Sequence, residues 1–131
     1  MNKAIRPFYL LLLVIFGIAV VFYFKFTAED AYITSRYAEN LIQTGSPVYN
    51  LGEQINVTTS PLHVLISAFL FKITGATVLS NKILAFFLLI ASTFLVWFQF
   101  KEYPRIQVIS VSLLLLPPCF LLWTFGGLET S

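Results

Sequence analysis

Three long apolar stretches of this chain carry no charged residue, and their lengths limit the folds that it can adopt. They span residues 7–24, 83–100 and 106–128. A helix rises about 1.5 Å per residue, so about 20 apolar residues cross the hydrocarbon of a bilayer. Of all residues, 58% are hydrophobic and 11% are charged, whereas soluble domains carry about 25% charged residues. The sequence therefore predicts an all-α integral membrane protein with three transmembrane helices.

A fourth apolar segment, residues 61–75, is too short to cross a bilayer, since its uncharged part lies between His63 and Lys72. Its large apolar residues recur at helical spacing; they are Leu62, Leu65, Ile66, Phe69 and Ile73. This periodicity predicts an amphipathic helix that lies flat in the membrane interface.

Basic residues orient the spans. Lys3 and Arg6 place the N-terminus in the cytoplasm, and Lys101 and Arg105 then also lie there if residues 61–75 do not cross. If that segment does cross, Lys101 and Arg105 lie outside instead. The favoured division of the single membrane domain, residues 1–131, is a first span 7–24, an external loop 25–77 with helices 28–44 and 61–75, a second span 78–100, a cytoplasmic loop 101–105, a third span 106–125 and an external end 126–131.

Charge and cysteine content exclude two classes of protein. The net charge is only +2 and no basic cluster is present, so a nucleic-acid partner is not expected. The single cysteine, Cys119, cannot form an intrachain disulfide. Because it stands within an apolar run, we expect a small buried hydrophobic side chain there.

Two adjacent carboxylates, Glu29 and Asp30, follow the first apolar run closely. At the boundary of the bilayer such a pair could take a proton from a hydroxyl group or bind a divalent cation. The structural alternative is that Thr27 caps a helix and the acidic residues favour its first turn through the helix dipole. The spacing alone leaves both interpretations open.

Three other side chains are candidate ligand-binding groups, each with a structural alternative. Arg36 could bind a lipid phosphate or pair with Glu39 three positions later. His63 could bind substrate or simply lie in the membrane interface. Glu129 follows the glycine pair 126–127 and could be a functional carboxylate or the first polar residue outside the third span.

Residues 29–41 (EDAYITSRYAENL) and 45–53 (GSPVYNLGE) resemble the first external loop of C-type (GT-C) membrane glycosyltransferases. The nearest likeness is to the bacterial arabinofuranosyltransferase-like branch. The segments 59–62 (TSPL) and 127–130 (GLET) match further elements of that family in order and spacing. One position departs from the pattern, because the first Asp of the family's acidic pair is Glu29 here.

The resemblance implies the N-terminal helices of an inverting glycosyltransferase, and we expect this chain to be the N-terminal part of a longer enzyme and inactive alone. Such an enzyme transfers a sugar from a polyprenyl-phosphate donor to a glycan, lipid or protein acceptor of the cell envelope. It works on the external face of the bacterial inner membrane. In this interpretation Asp30 is the general base and Glu29 orients the acceptor or shares a divalent cation with Asp30. Arg36, His63 and Glu129 then bind substrate.

A rival hypothesis comes from another class of protein. The chain could be a small non-catalytic membrane subunit, or part of a flippase or transporter of lipid-linked sugars. A reading frame that continues into further spans would favour the enzyme, and a stop after Ser131 would favour the subunit.

Overall fold

The chain folds into helices connected by short turns and one longer loop. The computed structural model describes residues 6–53 and 60–127, and within these ranges it has six α-helices and no strand. The helices are α1 (Arg6–Tyr23), α2 (Glu29–Thr44), α3 (Pro61–Thr74), α4 (Thr77–Gln99), α5 (Pro104–Leu115) and α6 (Pro118–Thr124). The all-helical prediction is confirmed, and both helices predicted in the first loop are present.

Helices α1, α4 and the α5–α6 pair run in alternating directions. At one end, Lys82 in the first turns of α4 donates hydrogen bonds to backbone carbonyls just beyond the end of α1. At the other end, Gln107 near the start of α5 accepts a hydrogen bond from Tyr9 at 2.8 Å and donates one to the carbonyl of Trp97 at 2.8 Å. The connection between α1 and α4 therefore begins and finishes at one end of the bundle, and the α4–α5 turn lies at the other.

The core between these helices is small. Its fully buried apolar side chains are Leu12, Phe16, Leu89, Val111, Leu115, Leu121 and Phe125. Many large apolar side chains point outward instead: on α1, Ile18, Val21 and Phe22 are 67–72% exposed. Apolar surface of this extent on a folded protein is a site of contact with lipid or with another protein.

Helix α4 has the length and composition to cross a membrane, and only 28% of its most apolar stretch is buried. The bent pair α5–α6 qualifies as one further span if it is counted as a single element, and its two parts meet at 56°. From Pro7 to Tyr23, α1 is a shorter apolar helix. In the described part of the chain, the structure thus has one candidate span, or two if the bent pair is counted, and the three predicted spans are not shown.

The break between α5 and α6 has a covalent cause. Pro117 and Pro118 both lack an N–H group, so two hydrogen bonds to carbonyls of the preceding turn cannot form. Helix α5 ends at Leu115, and Pro118 opens α6 at a position where a helix needs no donor. The predicted third span is therefore a broken helix.

The cysteine prediction was wrong. Cys119 is exposed, because the short helix α6 buries Leu121 and Thr124 instead. The thiol of Cys119 therefore lies on the outer surface of the helical bundle.

Helix α3 packs against α2 and α4 through its small and polar side. Its buried residues are His63, Val64, Ser67 and Ala68, whereas the large apolar residues Leu62, Leu65, Ile66, Phe69 and Ile73 are 38–68% exposed. Small side chains allow two helices to approach closely, and Ser67 also makes hydrogen bonds with the side chain of Asn81 on α4 at 2.9–3.1 Å. The predicted amphipathic helix is present with its apolar stripe on the outside.

The ends of α2 differ in how well the sequence predicts them. Gly45 ends the helix in a left-handed conformation (φ 77°) and donates its N–H to the carbonyl of Leu41, as glycine at this position commonly does. The expectation that Thr27 caps the start was wrong. Ala28 occupies the capping position with extended backbone and no side-chain hydrogen bond.

Candidate functional site

The start of α2 lies directly against the residues that follow α6. Ala28 donates its N–H to the carbonyl of Gly126 at 3.0 Å. The position that a Cβ atom would occupy on Gly127 is only 3.2 Å from the Cβ of Ala31. Because neither glycine has a side chain, the two backbone segments can approach this closely. The chain therefore brings its last described residues beside the acidic pair.

Glu29 and Asp30 are the first two residues of α2, and both side chains are exposed. The backbone N–H groups of a first helical turn have no carbonyl partner within the helix, and together with the helix dipole they stabilise nearby negative charge. Within the described ranges, neither carboxylate forms an ion pair. Two accessible carboxylates thus stand at one end of the bundle. Glu129, expected near them, lies outside the described residues.

A divalent cation would need more ligands than this pair supplies. No group of three or more His, Cys, Asp or Glu side chains with metal-binding spacing occurs among residues 6–53 and 60–127. Mg²⁺ is often held by one or two carboxylates together with water and substrate phosphate. Glu29 and Asp30 could serve as those carboxylates.

A groove of about 710 Å³ opens between α2 and the start of α4. Helix α2 contributes Tyr32, Ser35, Arg36 and Glu39. These positions follow the spacing i, i+3, i+4 and i+7, so they form one stripe along the helix. The opposite wall is the segment 76–79 together with Lys82. The groove is therefore lined by both charges and apolar side chains.

Lys82 is almost completely buried, with 5% of its surface exposed. Its ammonium group donates hydrogen bonds to the carbonyls of Phe24 (2.9 Å) and Phe26. The ring of Phe24 lies 5.5 Å from the same nitrogen, within the range of a cation–π contact. Both carbonyls belong to the segment between α1 and α2, so Lys82 holds this linker against the start of α4.

Glu39 binds across the groove rather than along its own helix. The hydroxyl of Thr77 donates to Glu39 Oε1 at 2.6 Å. Among the described residues, the structure has no ion pair between Arg36 and Glu39, which was one of the two sequence-based interpretations. Arg36 is exposed and lines the groove, so its guanidinium group is available to a ligand.

The loop after Gly45 supplies an aromatic end to the groove. The amide of Asn40 donates to the carbonyls of Val48 (2.7 Å) and Tyr49 (3.0 Å), which holds the loop along α2. The ring of Tyr49 lies 6.1 Å from that of the buried Tyr37. Tyr49 thereby reaches the groove although it is separated from the rest of the lining by a turn of chain.

The predicted site residues do not form one cluster. Arg36 lines the groove, whereas Glu29, Asp30 and His63 are not among its lining residues. His63 is buried in the first turn of α3. At about 100° per residue, Glu29 lies on the same side of α2 as Arg36, and Asp30 is about a third of a turn away. The acidic pair and the groove are therefore neighbouring features of α2 and not a single pocket.

Sequence reasoning missed Lys82, Thr77 and the two tyrosines of the groove. A signal for Lys82 was present, because it is the one charged residue of α4 and an ionisable group in an apolar helix is a functional candidate by default. Thr77 carries no such signal, since its partner is Glu39, far away in sequence.

Comparison with known protein families, curated proteins and solved structures finds no match to this chain.

Proposed function

We propose that this chain is the N-terminal part of an inverting C-type glycosyltransferase of the bacterial inner membrane. The enzyme transfers a sugar from a polyprenyl-phosphate donor to a cell-envelope acceptor on the external face. The observation that carries the proposal is the contact of the α2 start, where Glu29 and Asp30 are exposed, with Gly126 and Gly127. The resemblance to GT-C enzymes implies that the acidic pair and the segment after α6 belong to the same catalytic face.

A membrane location is supported by the distribution of apolar surface. A core helix of a soluble protein hides most of its apolar residues, whereas only 28% of the most apolar stretch of α4 is buried. The outward stripe of α3 and the exposed residues of α1 add to the same surface. Lipid would cover this surface, and the alternating helix directions support an arrangement in which the α1–α4 connection lies on one side of the bilayer.

The proposed reaction uses Asp30 as a general base. Its carboxylate takes the proton of an acceptor hydroxyl while the hydroxyl oxygen attacks the anomeric carbon of the sugar. The bond between that carbon and the phosphate oxygen breaks, and the lipid phosphate leaves with the electron pair. Attack from the side opposite the leaving group inverts the anomeric configuration. Glu29, one residue earlier, would orient the acceptor.

The test is the substitution Asp30→Asn in the full-length membrane protein. Sugar transfer from a polyprenyl-phosphate donor should fall by about 10²–10⁴-fold, the usual contribution of a general base. Glu53→Gln is the matched control, because it neutralises another exposed carboxylate of the same external segment. Transfer by Asp30→Asn at the rate of Glu53→Gln would disprove the assignment of the base.

A further inference from the structure

The short connection between α1 and α2 is held at two places by distant parts of the chain. Lys82 on α4 donates hydrogen bonds to the carbonyl of Phe24 at 2.9 Å and to that of Phe26. Ala28 donates its N–H to the carbonyl of Gly126, after α6, at 3.0 Å. The backbone that leads into α2 is therefore fixed from two sides before the helix begins.

The use of a lysine for one of these contacts is costly. Lys82 is 5% exposed, and a buried charge is tolerated only when it is paired or hydrogen-bonded. The ring of Phe24 adds a cation–π contact to the two carbonyl bonds and lies 5.8 Å from the ring of Phe125. An apolar side chain would fill the same space at a lower cost but could not bind the carbonyls. The charged donor is therefore specific to holding the connection.

The acidic pair lies close to the backbone that Lys82 holds. Glu29 is three residues after Phe26, and Asp30 is four. Four residues extend at most about 14 Å, so a displacement of Phe26 cannot be absorbed before the first turn of α2. Both carboxylates are exposed, so their location is set by the backbone of this turn and not by packing of their side chains.

We propose that Lys82 is a positioning residue, which fixes the start of α2 against α4 and so sets the location of Glu29 and Asp30 relative to the helical bundle. Its catalytic consequence rests on the proposed function, in which Asp30 is the general base. A reacting group that is misplaced by about 1 Å can lose about 10²-fold in rate. In this role Lys82 acts only through the backbone of the connection.

The positioning can be measured without any reaction. In a Cys119→Ser background, spin labels at Glu29→Cys and Gln99→Cys report the distance between the start of α2 and the end of α4 by double electron–electron resonance. Both labelled side chains are exposed. Lys82→Met should broaden the distribution of this distance, because the connection before α2 loses its contact with α4.

A second pair of labels is the matched control. Gln43→Cys, near the other end of α2, is combined with Gln99→Cys in the same background. This half of α2 is held separately, by the hydrogen bond from Thr77 to Glu39 at 2.6 Å. The control distribution should therefore keep its width in Lys82→Met.

The catalytic consequence can be tested by a double-mutant cycle in the full-length protein. Lys82→Met should lower kcat for sugar transfer about 10- to 100-fold and change KM for the donor by less than about threefold, since Lys82 acts through the base. In an Asp30→Asn background the same substitution should change kcat by less than about twofold, because no base remains to be misplaced. Lys82→Arg keeps a charged donor and should lose less activity than Lys82→Met, and Lys72→Met on the exposed surface of α3 should retain the wild-type kcat.

The outcomes separate positioning from a general loss of structure. Unfolding would lower kcat by the same factor with and without Asp30, and that result would overturn the proposal, as would an unchanged distance distribution in Lys82→Met. If instead Asp30→Asn transfers sugar at the rate of Glu53→Gln, the proposed function fails. The distance distributions then decide by themselves whether Lys82 positions the start of α2.

Discussion

Ala28 donates its backbone N–H to the carbonyl of Gly126 at 3.0 Å, and this bond joins the start of α2 to the turn that follows α6. The next residue, Gly127, has a positive φ of 87°, and a Cβ atom there would lie only 3.2 Å from the Cβ of Ala31. The contact between two segments far apart in sequence therefore depends on glycine at position 127.

We expect Gly127→Ala to destabilise the fold by about 1–3 kcal/mol. The left-handed conformation costs an L-residue roughly 1–2 kcal/mol, and the new Cβ would meet Ala31 at 3.2 Å. Unfolding in a mixed-micelle denaturant series, followed by circular dichroism, measures the free energy. Gly17→Ala is the matched control: Gly17 lies within α1 and has open space around it, so alanine should be neutral or stabilise by up to about 1 kcal/mol. Equal effects of the two substitutions would contradict the proposed contact.

Lys82 is expected to be more important for stability than other lysines of the chain. Lys82→Met keeps the apolar stem but leaves the carbonyls of Phe24 and Phe26 without their donor. Hydrogen bonds from a charged donor contribute about 1.5–3 kcal/mol, and removal of the buried charge offsets part of that loss, so a net destabilisation of about 1–2 kcal/mol is expected.

The matched control for Lys82→Met is Lys72→Met on the exposed surface of α3, which should change stability by less than about 0.5 kcal/mol. Hydrogen exchange gives a second measurement, because the amide of Ala28 should exchange faster once the linker before α2 is released. If the two variants unfold at the same denaturant concentration, the hydrogen bonds of Lys82 to the linker between α1 and α2 do not stabilise the fold.

The helix ends at Gly45 and Gly75 are the part of this fold that the local sequence determines most directly. Gly45 and Gly75 each follow a periodic helix and each adopts the left-handed conformation (φ 77° and 71°) that ends it. A helix end depends on a few neighbouring residues, so the sequence contains the whole signal. The start of α2 was mispredicted for a related reason: Ala28 gains its hydrogen bond from Gly126, and this tertiary contact is invisible in the local sequence.

The groove could be predicted only in part. The stripe on α2 follows helical spacing and includes Arg36, which the sequence did indicate. The opposite wall depends on how α4 packs against α2, and Thr77 meets Glu39 only in the folded chain. A polar pair between residues far apart in sequence produces no periodic pattern in the sequence, whereas the residues of one helix face do.

Asn40 is expected to control the position of Tyr49. Asn40→Asp keeps the size of the side chain but replaces the amide donor by a carboxylate that faces the carbonyls of Val48 and Tyr49. Loss of two hydrogen bonds and the new repulsion should destabilise the chain by about 2–4 kcal/mol. Contacts between the rings of Tyr37 and Tyr49 in the NMR spectrum should disappear.

The control for Asn40→Asp is Asn50→Asp, which alters an exposed hydrogen bond to Glu53 and should have little effect on stability. Ring contacts that persist in Asn40→Asp would show that the loop is held by packing and not by the amide.

The topology can be tested by cysteine labelling in intact cells. The native thiol of Cys119 is exposed and must first be replaced by serine. In that background, Gln43→Cys on the exposed surface of α2 should react with a membrane-impermeant maleimide, and Glu102→Cys in the α4–α5 turn should react only after the cells are permeabilised. Ser35 is unsuitable as a labelling site because it is buried and bonded to the carbonyl of Ala31.

The two labelling sites distinguish the possible crossings because they lie at opposite ends of the helical bundle. Helix α4 connects those ends, so a bilayer crossed by α4 must place Gln43 and Glu102 on different sides. Labelling of both sites from outside would mean that α4 does not span the membrane, and the catalytic face proposed for Asp30 would then have no defined side. If only Glu102→Cys were labelled from outside, the orientation in the membrane would be the reverse of the proposed one. Asp30 would then face the cytoplasm, where an enzyme that builds the outer envelope could not use it.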